Sequence, residues 1–283
     1  MTSLTELIQL AYAEDIPNGD ITSDLTLTDT VSATAVIIAK APGIFFGREI
    51  TLACVAHFDS RLHAALLVAD GQQIRPKERL IEITGPLKQV LALERVLLNF
   101  LQRLCGIATM TSHFVAALND SGIKLLETRK TTPLLRSLEK QAVIAGGGHN
   151  HRMNLSDMIL IKENHLIALA HNGQLGSLRD RLLYFKHQNP TVGIEIEIET
   201  LSQIDSLPLD LADIVMFDNF PLDIISQGAQ RMIDRGIQAE IEVSGNITLD
   251  TIGRYRGLPI HRISVGALTH SVPAVDLSMR ITP

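Results

Sequence analysis

Val192-Gly193-Ile194-Glu195-Ile196-Glu197-Ile198-Glu199 is the third of six short, strand-like runs beyond Gly122, and the alternation of these runs with helical patterns decides the fold. The other five are residues 123–127, 158–162, 213–217, 239–243 and 261–265. Helical patterns fill most of the gaps, for instance residues 134–145, 178–186 and 222–235. Strand then helix, repeated, means parallel strands with crossover helices, either in an open sheet or in a closed barrel. Six strands are two short of the eight of a full barrel, and a segment around residues 151–153 is a candidate for one more.

Outward from this region the pattern changes. Ser3-Leu4-Thr5-Glu6 has the Ser-x-x-Glu form of a capping box, with Leu7, Ile8 and Ala11 at helical spacing behind it. Residues 14–20 read as a turn-rich loop. Strands are expected at residues 31–40, 62–69 and 79–83, and a helix at 48–57, which together make an α+β unit of about a hundred residues. A long helix over residues 89–118 bridges to the alternating region. Gly106 is expected to kink or break it, because glycine costs about 1 kcal/mol in a helix interior. Residues 274–281 form a last strand that returns to the first domain.

Composition excludes several classes. The chain has 283 residues, 46% of them apolar and 20% charged, and its 31 acids against 25 Lys and Arg give a net charge of −6. A general nucleic-acid or anionic-membrane binder would carry a broad basic face. The richest apolar stretch, residues 31–46, is interrupted by Lys40 and Pro42-Gly43, so no membrane span is expected. The first ten residues carry Glu6 and no basic patch, which argues against a secretory signal. Cys54 and Cys105, without CxxC spacing, read as buried hydrophobes in a reducing, cytoplasmic compartment.

The residues just past each strand are chemically informative. Thr128-Arg129-Lys130, Lys162 with Asn164 and His165, Asp218-Asn219, Ser244-Gly245-Asn246 and Gly266-Ala267 all sit at strand ends. In parallel α/β folds these ends converge on one rim, and sites are built there. A locally basic rim on an acidic protein points to a small polyanion. Lys124, Arg136 and Lys140 are read instead as ordinary solvated charges. The paired glycine turns at Gly245 and Gly266 suit a phosphate held by backbone N–H groups. Glu195, Glu197 and Glu199 share one strand face, either as a wet acidic edge or as interior groups paired with Lys, Arg or a metal. His149-x-His151 has the form of a metal pair but lacks further ligands of supporting spacing. Residues 146–148 are a helix cap or a flexible carrier for His151 and Arg152. Lys162 has a second reading as a Schiff-base lysine.

In order along the chain, Glu94-Arg95 to Asn99, Gly106 to Thr109, TRKTTP (residues 128–133), GGGHNHR (146–152), LIKENH (160–165), EIEIE (195–199), FDN (217–219), EVSGN (242–246) and SVGALTH (264–270) resemble the quinolinate phosphoribosyltransferase family along nearly the whole chain. Glu14-Asp15 and residues 19–23 add an N-terminal block. The resemblance implies an α/β fold: an N-terminal open-faced α/β sandwich over residues 1–110, rejoined by the strand 271–283, and an incomplete TIM-like α/β barrel over 111–270. It implies a homodimer in which the sandwich of one subunit covers the barrel mouth of the other. The implied reaction joins quinolinate to phosphoribosyl pyrophosphate with Mg²⁺ and yields nicotinate mononucleotide, pyrophosphate and CO₂, a step of NAD biosynthesis.

Carried over position by position, Arg129 and Arg152, with Arg95 across the dimer, hold the quinolinate carboxylates, and His151 sits beside the pyridine ring. Lys130 and Lys162 contact carboxylate or the departing pyrophosphate. Glu197 and Asp218 bind the ribose hydroxyls and hydrated Mg²⁺. Ser244, Gly245 and Gly266 cradle the 5-phosphate, with Asn246 in the same substrate-binding turn. Leu134 departs from the family, which usually has glycine there, and residues 258–262 are also unusual. If that position has positive φ, leucine costs on the order of 1 kcal/mol. The competing readings are a molybdenum-associated relative of the family, which differs at LIKENH and around Arg95, and a non-catalytic phosphosugar-binding protein.

Overall fold

In the computed structural model, which describes residues 3–120 and 122–282, the backbone forms two compact units. One contains the chain through Ser112, Thr131–Gly147 and the stretch from Leu268 onward. The other contains His113–Lys130 and Gly148–Ala267.

The first unit starts with helix α1 (Leu4–Asp15), and its capping box forms as the sequence requires. The Glu6 N–H donates to Ser3 Oγ at 3.2 Å, and the Ser3 N–H donates to Glu6 Oε2 at 2.7 Å. The buried face is Ile8 and Tyr12. The stretch read as a loop ends in a second helix, α2 (Ile21–Thr26), because the Asp20 carboxylate caps it by accepting from the Thr22 and Ser23 amides. Strand β1 (Ser32–Ala39) is next, then a two-residue strand β2 (Gly43–Ile44) and helix α3 (Arg48–Phe58). After them come β3 (His63–Leu66), β4 (Gln73–Ile74), which pairs with β2, and β5 (Arg79–Pro86). The final strand, β12 (Leu277–Thr282), completes an antiparallel sheet of order β12-β1-β5-β3. The C-terminal strand thus returns as expected.

Helix α4 runs unbroken from Leu87 to Leu118, so Gly106 neither ends nor interrupts it. A Cβ at Gly106 would collide with the Pro273 carbonyl. Close approach of another backbone, not helix termination, is what this glycine provides. Helix α5 (Arg136–Ala145) corrects a second expectation: Lys140 and Glu139 are fully buried, not solvated. Arg103 Nε donates to Glu139 Oε1 at 2.8 Å, and the Thr132 amide donates to Glu139 Oε2 at 3.2 Å, which ties down the loop after Lys130. Lys124 remains half-exposed, and Arg136 Nε donates to Thr131 Oγ1 at 3.0 Å.

Leu134 has φ 67° and is 63% exposed. A leucine in the left-handed region meets a Cβ–carbonyl clash that glycine avoids, and here little burial compensates. Leu134→Gly is expected to raise unfolding stability by about 1 kcal/mol, read as a later urea midpoint at unchanged m-value.

The second unit carries six parallel strands: β6 (Lys124–Leu126), β7 (Ile159–Ile161), β8 (Ile194–Ile198), β9 (Ile214–Asp218), β10 (Glu240–Ser244) and β11 (Arg262–Ser264), in the order β6-β11-β10-β9-β8-β7. Helices α6 (Glu163–His171), α7 (Leu178–Gln188), α8 (Gln203–Ser206), α9 (Leu222–Asp234) and α10 (Ala267–His270) come after strands in alternation. Outside the named strands, His149 bridges in parallel to Leu126 beyond β6. The additional pairing therefore falls at His149 and not at residues 151–153. No helix of the described residues is long and apolar enough to cross a membrane.

Candidate active site

Register alone brings the charged residues of the second unit onto one face of its sheet. Lys124 pairs with Arg262, Arg262 with Glu242, Glu242 with Met216, and Met216 with Glu197; one step further on, Ser244 pairs with Asp218. Paired residues of neighbouring parallel strands point the same way. All five residues of β8 are buried, so the wet-edge reading of the acidic row fails. Glu195 and Glu197 are interior groups, whereas Glu199 lies past the strand and is exposed.

Each interior acid meets a basic side chain. Lys162, just beyond β7, places Nζ 2.9 Å from Glu197 Oε2. Engaged in this way the lysine serves as a cation, and nothing in the structure favours the Schiff-base reading. Glu197 also shares a hydrogen bond with Glu163, the next residue after Lys162. Burial first, then this carboxyl partner, push the Glu197 pKa up to about 7, against the pull of Lys162, and the charge of Asp218 adds to the rise. Glu163 moves the opposite way, lowered first by the same hydrogen bond with Glu197. The Lys162 amide donates to His165 Nδ1 at 3.0 Å, which explains the His of LIKENH: it caps α6.

His151 is surrounded by carboxylates. Its Nε2 lies 3.2 Å from Glu195 Oε2 and 3.3 Å from Glu242 Oε1, and its own amide is 3.1 and 3.3 Å from the two oxygens of Glu127. Burial favours the neutral imidazole, whereas the carboxylates of Glu195 and Glu242 favour the protonated one. Opposing them, the Arg152 amide sits 2.7 Å from Nδ1 and needs a lone pair there. That short contact holds the ring proton on Nε2. Among the described residues, His151, Glu195 and Glu242 converge with ligand atoms within 4.8 Å of one another. His149 is not part of this group and is exposed, so the His-x-His metal pair does not form.

Arg152 is buried, and Nη1 donates to the Met158 carbonyl at 2.9 Å. Burial, then the charge of Arg129, lower its pKa, although a guanidinium remains charged. Two like charges have thus been brought close together at the end of β6 and the start of the His151 segment. Lys130, next to Arg129, is exposed.

At the ends of β9 and β10 the turns interlock. The Asn219 amide donates to the Ser244 carbonyl at 2.9 Å, Asn246 Nδ2 donates to Asn219 Oδ1 at 3.0 Å, and Asn219 Nδ2 donates to Asp218 Oδ2 at 2.7 Å. Gly245 has φ 103°, and a Cβ there would strike Asn219. A concavity of about 630 Å³ opens here, lined by residues 219–223, Gly245, Asn246, Thr251, Arg254 and Tyr255. It touches the turn expected to hold phosphate, but Arg129, Arg152, Lys162 and Glu197 do not line it. Gly266 lies two residues past β11, level by register with Asn246. Arg95 is exposed on α4 in the first unit.

Sequence reasoning missed Glu127 and Glu163 as members of the site, and it did not bring Glu242 to His151. The available signal was register: Glu242 precedes Ser244 by two residues, so the two share a strand face.

Comparisons with known proteins agree with this geometry. Residues 20–105 match the model for the quinolinate phosphoribosyl transferase N-terminal domain, and residues 107–280 match the model for its C-terminal domain. The chain is 41% identical over 280 residues to a probable nicotinate-nucleotide pyrophosphorylase [carboxylating] of Bacillus subtilis, covering 99% of this chain and 93% of that one. Its structure resembles that of NadC from Streptococcus pyogenes, with a TM-score of 0.89 and 36% identity over 99% of this chain and 96% of that one. It also resembles the nicotinate-nucleotide pyrophosphorylase of Francisella tularensis, with a TM-score of 0.87 and 34% identity over 99% and 96% of the two chains. With family models matching both halves, and buried acids, guanidinium groups and glycine turns gathered on one sheet, the chain belongs to the quinolinate phosphoribosyltransferase family.

Proposed function

We propose that this protein transfers the phosphoribosyl group of phosphoribosyl pyrophosphate to quinolinate with decarboxylation, giving nicotinate mononucleotide, pyrophosphate and CO₂. The observation that carries this reading is a buried Arg152, anchored through Nη1 on the Met158 carbonyl, that also feels the charge of Arg129 from beyond β6. Two guanidinium groups within reach of each other's charge suit a ligand with two carboxylates, each taking paired N–H donors.

The pyridine nitrogen attacks C1 of the ribose as the bond to pyrophosphate breaks, and the electron pair leaves on the pyrophosphate oxygen. Positive charge grows on the ribose ring, and we assign Glu197 and Asp218 to stabilise it and to hold the hydroxyls. Lys162 and Lys130 offer cations to the leaving pyrophosphate or to the substrate carboxylate. Ser244, Gly245, Asn246 and Gly266 bind the 5-phosphate through their turn backbone. Once the ring nitrogen is quaternised, the C2–carboxylate bond breaks, CO₂ leaves, and C2 takes up a proton. Most of the rate comes from positioning.

Glu197 and Asp218 suit Mg²⁺, since both are hard oxygen donors and the charge of Asp218 raises the pKa of Glu197, a repulsion that a cation would relieve. Mg²⁺ bound with the diphosphate would neutralise charge on the leaving group. Both cysteines are buried free thiols, which supports the cytoplasmic reading.

Purified protein supplied with quinolinate, phosphoribosyl pyrophosphate and Mg²⁺ should release CO₂ and nicotinate mononucleotide; no product above blank sinks the proposal and favours the phosphosugar-binding alternative. The exposure of Arg95 supports its action on a partner subunit's site in a homodimer. Arg95→Ala and Lys162→Ala proteins, each inactive alone, should regain about a quarter of wild-type activity when mixed and exchanged, because random pairing restores one intact site in half of the dimers. No recovery after demonstrated subunit exchange would exclude a shared site.

A further inference from the structure

We propose that Glu195 and Glu242 are positioning residues for substrate binding: their carboxylates flank Nε2 of His151 from two strands, and His151 in turn fixes the backbone that presents Arg152. This inference rests on the quinolinate-pocket reading and goes beyond it by assigning His151 a task different from contact with substrate through a ring nitrogen.

Both ring nitrogens are engaged inside the protein. Nε2 faces Glu195 Oε2 at 3.2 Å and Glu242 Oε1 at 3.3 Å, and Nδ1 accepts the Arg152 amide at 2.7 Å. The His151 amide meets the Glu127 carboxylate, so both the main chain and the side chain of this residue are held. The His151 side chain is 5% exposed, and Glu127, Glu195 and Glu242 are fully buried. None of the three acids is at the surface to meet a ligand directly. Burying three carboxylates carries a desolvation cost of several kcal/mol, which their contacts with His151, and that of Glu242 with Arg262, help to offset.

The consequence lies one residue further on. The imidazole is the acceptor for the Arg152 N–H, and Arg152 anchors its own guanidinium on the Met158 carbonyl. A ring free to rotate would release that amide and let the guanidinium drift, and a misplacement of about 1 Å costs on the order of a hundredfold in a positioned site. Glu195 is the cleaner residue to test, because Glu242 also accepts from Arg262 Nε at 2.8 Å and its loss would strand a second charge.

Glu195→Gln is expected to raise KM for quinolinate about tenfold, while KM for phosphoribosyl pyrophosphate stays within about twofold and kcat within about threefold. A variant with unchanged quinolinate KM and reduced kcat would show a purely structural role and overturn the inference. Nitrogen-15 spectra of the wild-type histidines supply a measurement that does not depend on the variant folding. His151 should show a bare Nδ1 and a protonated Nε2, both in free protein and in protein saturated with quinolinate. A protonated Nδ1 in either state overturns the clamp. Failure of the wild-type protein to form nicotinate mononucleotide would sink the functional reading, and the free-protein spectrum would still decide whether the clamp exists.

Discussion

Arg152→Ala is expected to lower kcat/KM for quinolinate about a thousandfold, a loss of about 4 kcal/mol in transition-state stabilisation. The guanidinium is buried and stands close to the like charge of Arg129, a repulsion that an anion lying between or beside them would relieve. Without Arg152, one carboxylate of the diacid enters a pocket with half of its donors, and the desolvation of that carboxylate goes uncompensated. Lysine should not restore the activity, since an ammonium offers neither the planar fork nor the reach to the Met158 carbonyl that fixes the guanidinium. KM for phosphoribosyl pyrophosphate should change little, because its phosphate end is assigned to the turns after β10 and β11. Steady-state kinetics with each substrate varied separately checks both statements. An Arg152→Ala enzyme with wild-type kcat/KM for quinolinate would remove this residue from the pocket.

The parts of this molecule that were legible in its sequence are those encoded by local pattern. The alternation of β-branched runs with helical spacing marked the six parallel strands, and Ser3 with Glu6 announced the first helix. Positions that depend on contacts remote in the chain were not legible. β2 and β4 have two residues each, too short for any period, and exist because they pair with one another. α2 was hidden because an aspartate in a Gly-Asp turn and an aspartate capping a helix look the same until the next turn is built. Gly106 looked like a helix breaker because nothing local reveals the Pro273 backbone lying against it.

Charge was the hardest signal to place. Lys140 and Glu139 are adjacent on a helix with charged neighbours, and only packing shows that both are inside. The row Glu195, Glu197, Glu199 was compatible with water or with an interior, and the question was settled only when Lys162 and His151 arrived from other segments. The strand ends could nonetheless be located, because parallel topology forces them to one side regardless of which residues occupy them. The buried acids beneath them depend on register, which no single segment contains.

Glu197→Gln should separate activity from stability. Turnover is expected to fall at least a hundredfold, since the amide cannot supply the charge that supports the ribose and the cation. Stability should move the other way above neutral pH. Burial and the Glu163 partner raise the Glu197 pKa to about 7, well above the ordinary carboxylate range. A carboxyl whose folded-state pKa is raised contributes stability that is fully present below its unfolded pKa and is lost as pH climbs through the folded one. Between about pH 4.5 and 7, therefore, the folded protein progressively gives up this contribution as the buried acid ionises. Glutamine holds a neutral group there at every pH and escapes the loss. With solvent screening at the partly open site allowed for, the variant should be more stable than wild type by on the order of 1–2 kcal/mol at pH 8, with the gap narrowing as pH falls below 7. Urea unfolding in EDTA at pH 5, 6, 7 and 8 reads this directly. A gap that stays constant across the series would mean that Glu197 keeps an ordinary carboxylate pKa. A variant less stable at pH 8 would mean that the ion pair with Lys162 at 2.9 Å outweighs the burial of the charge.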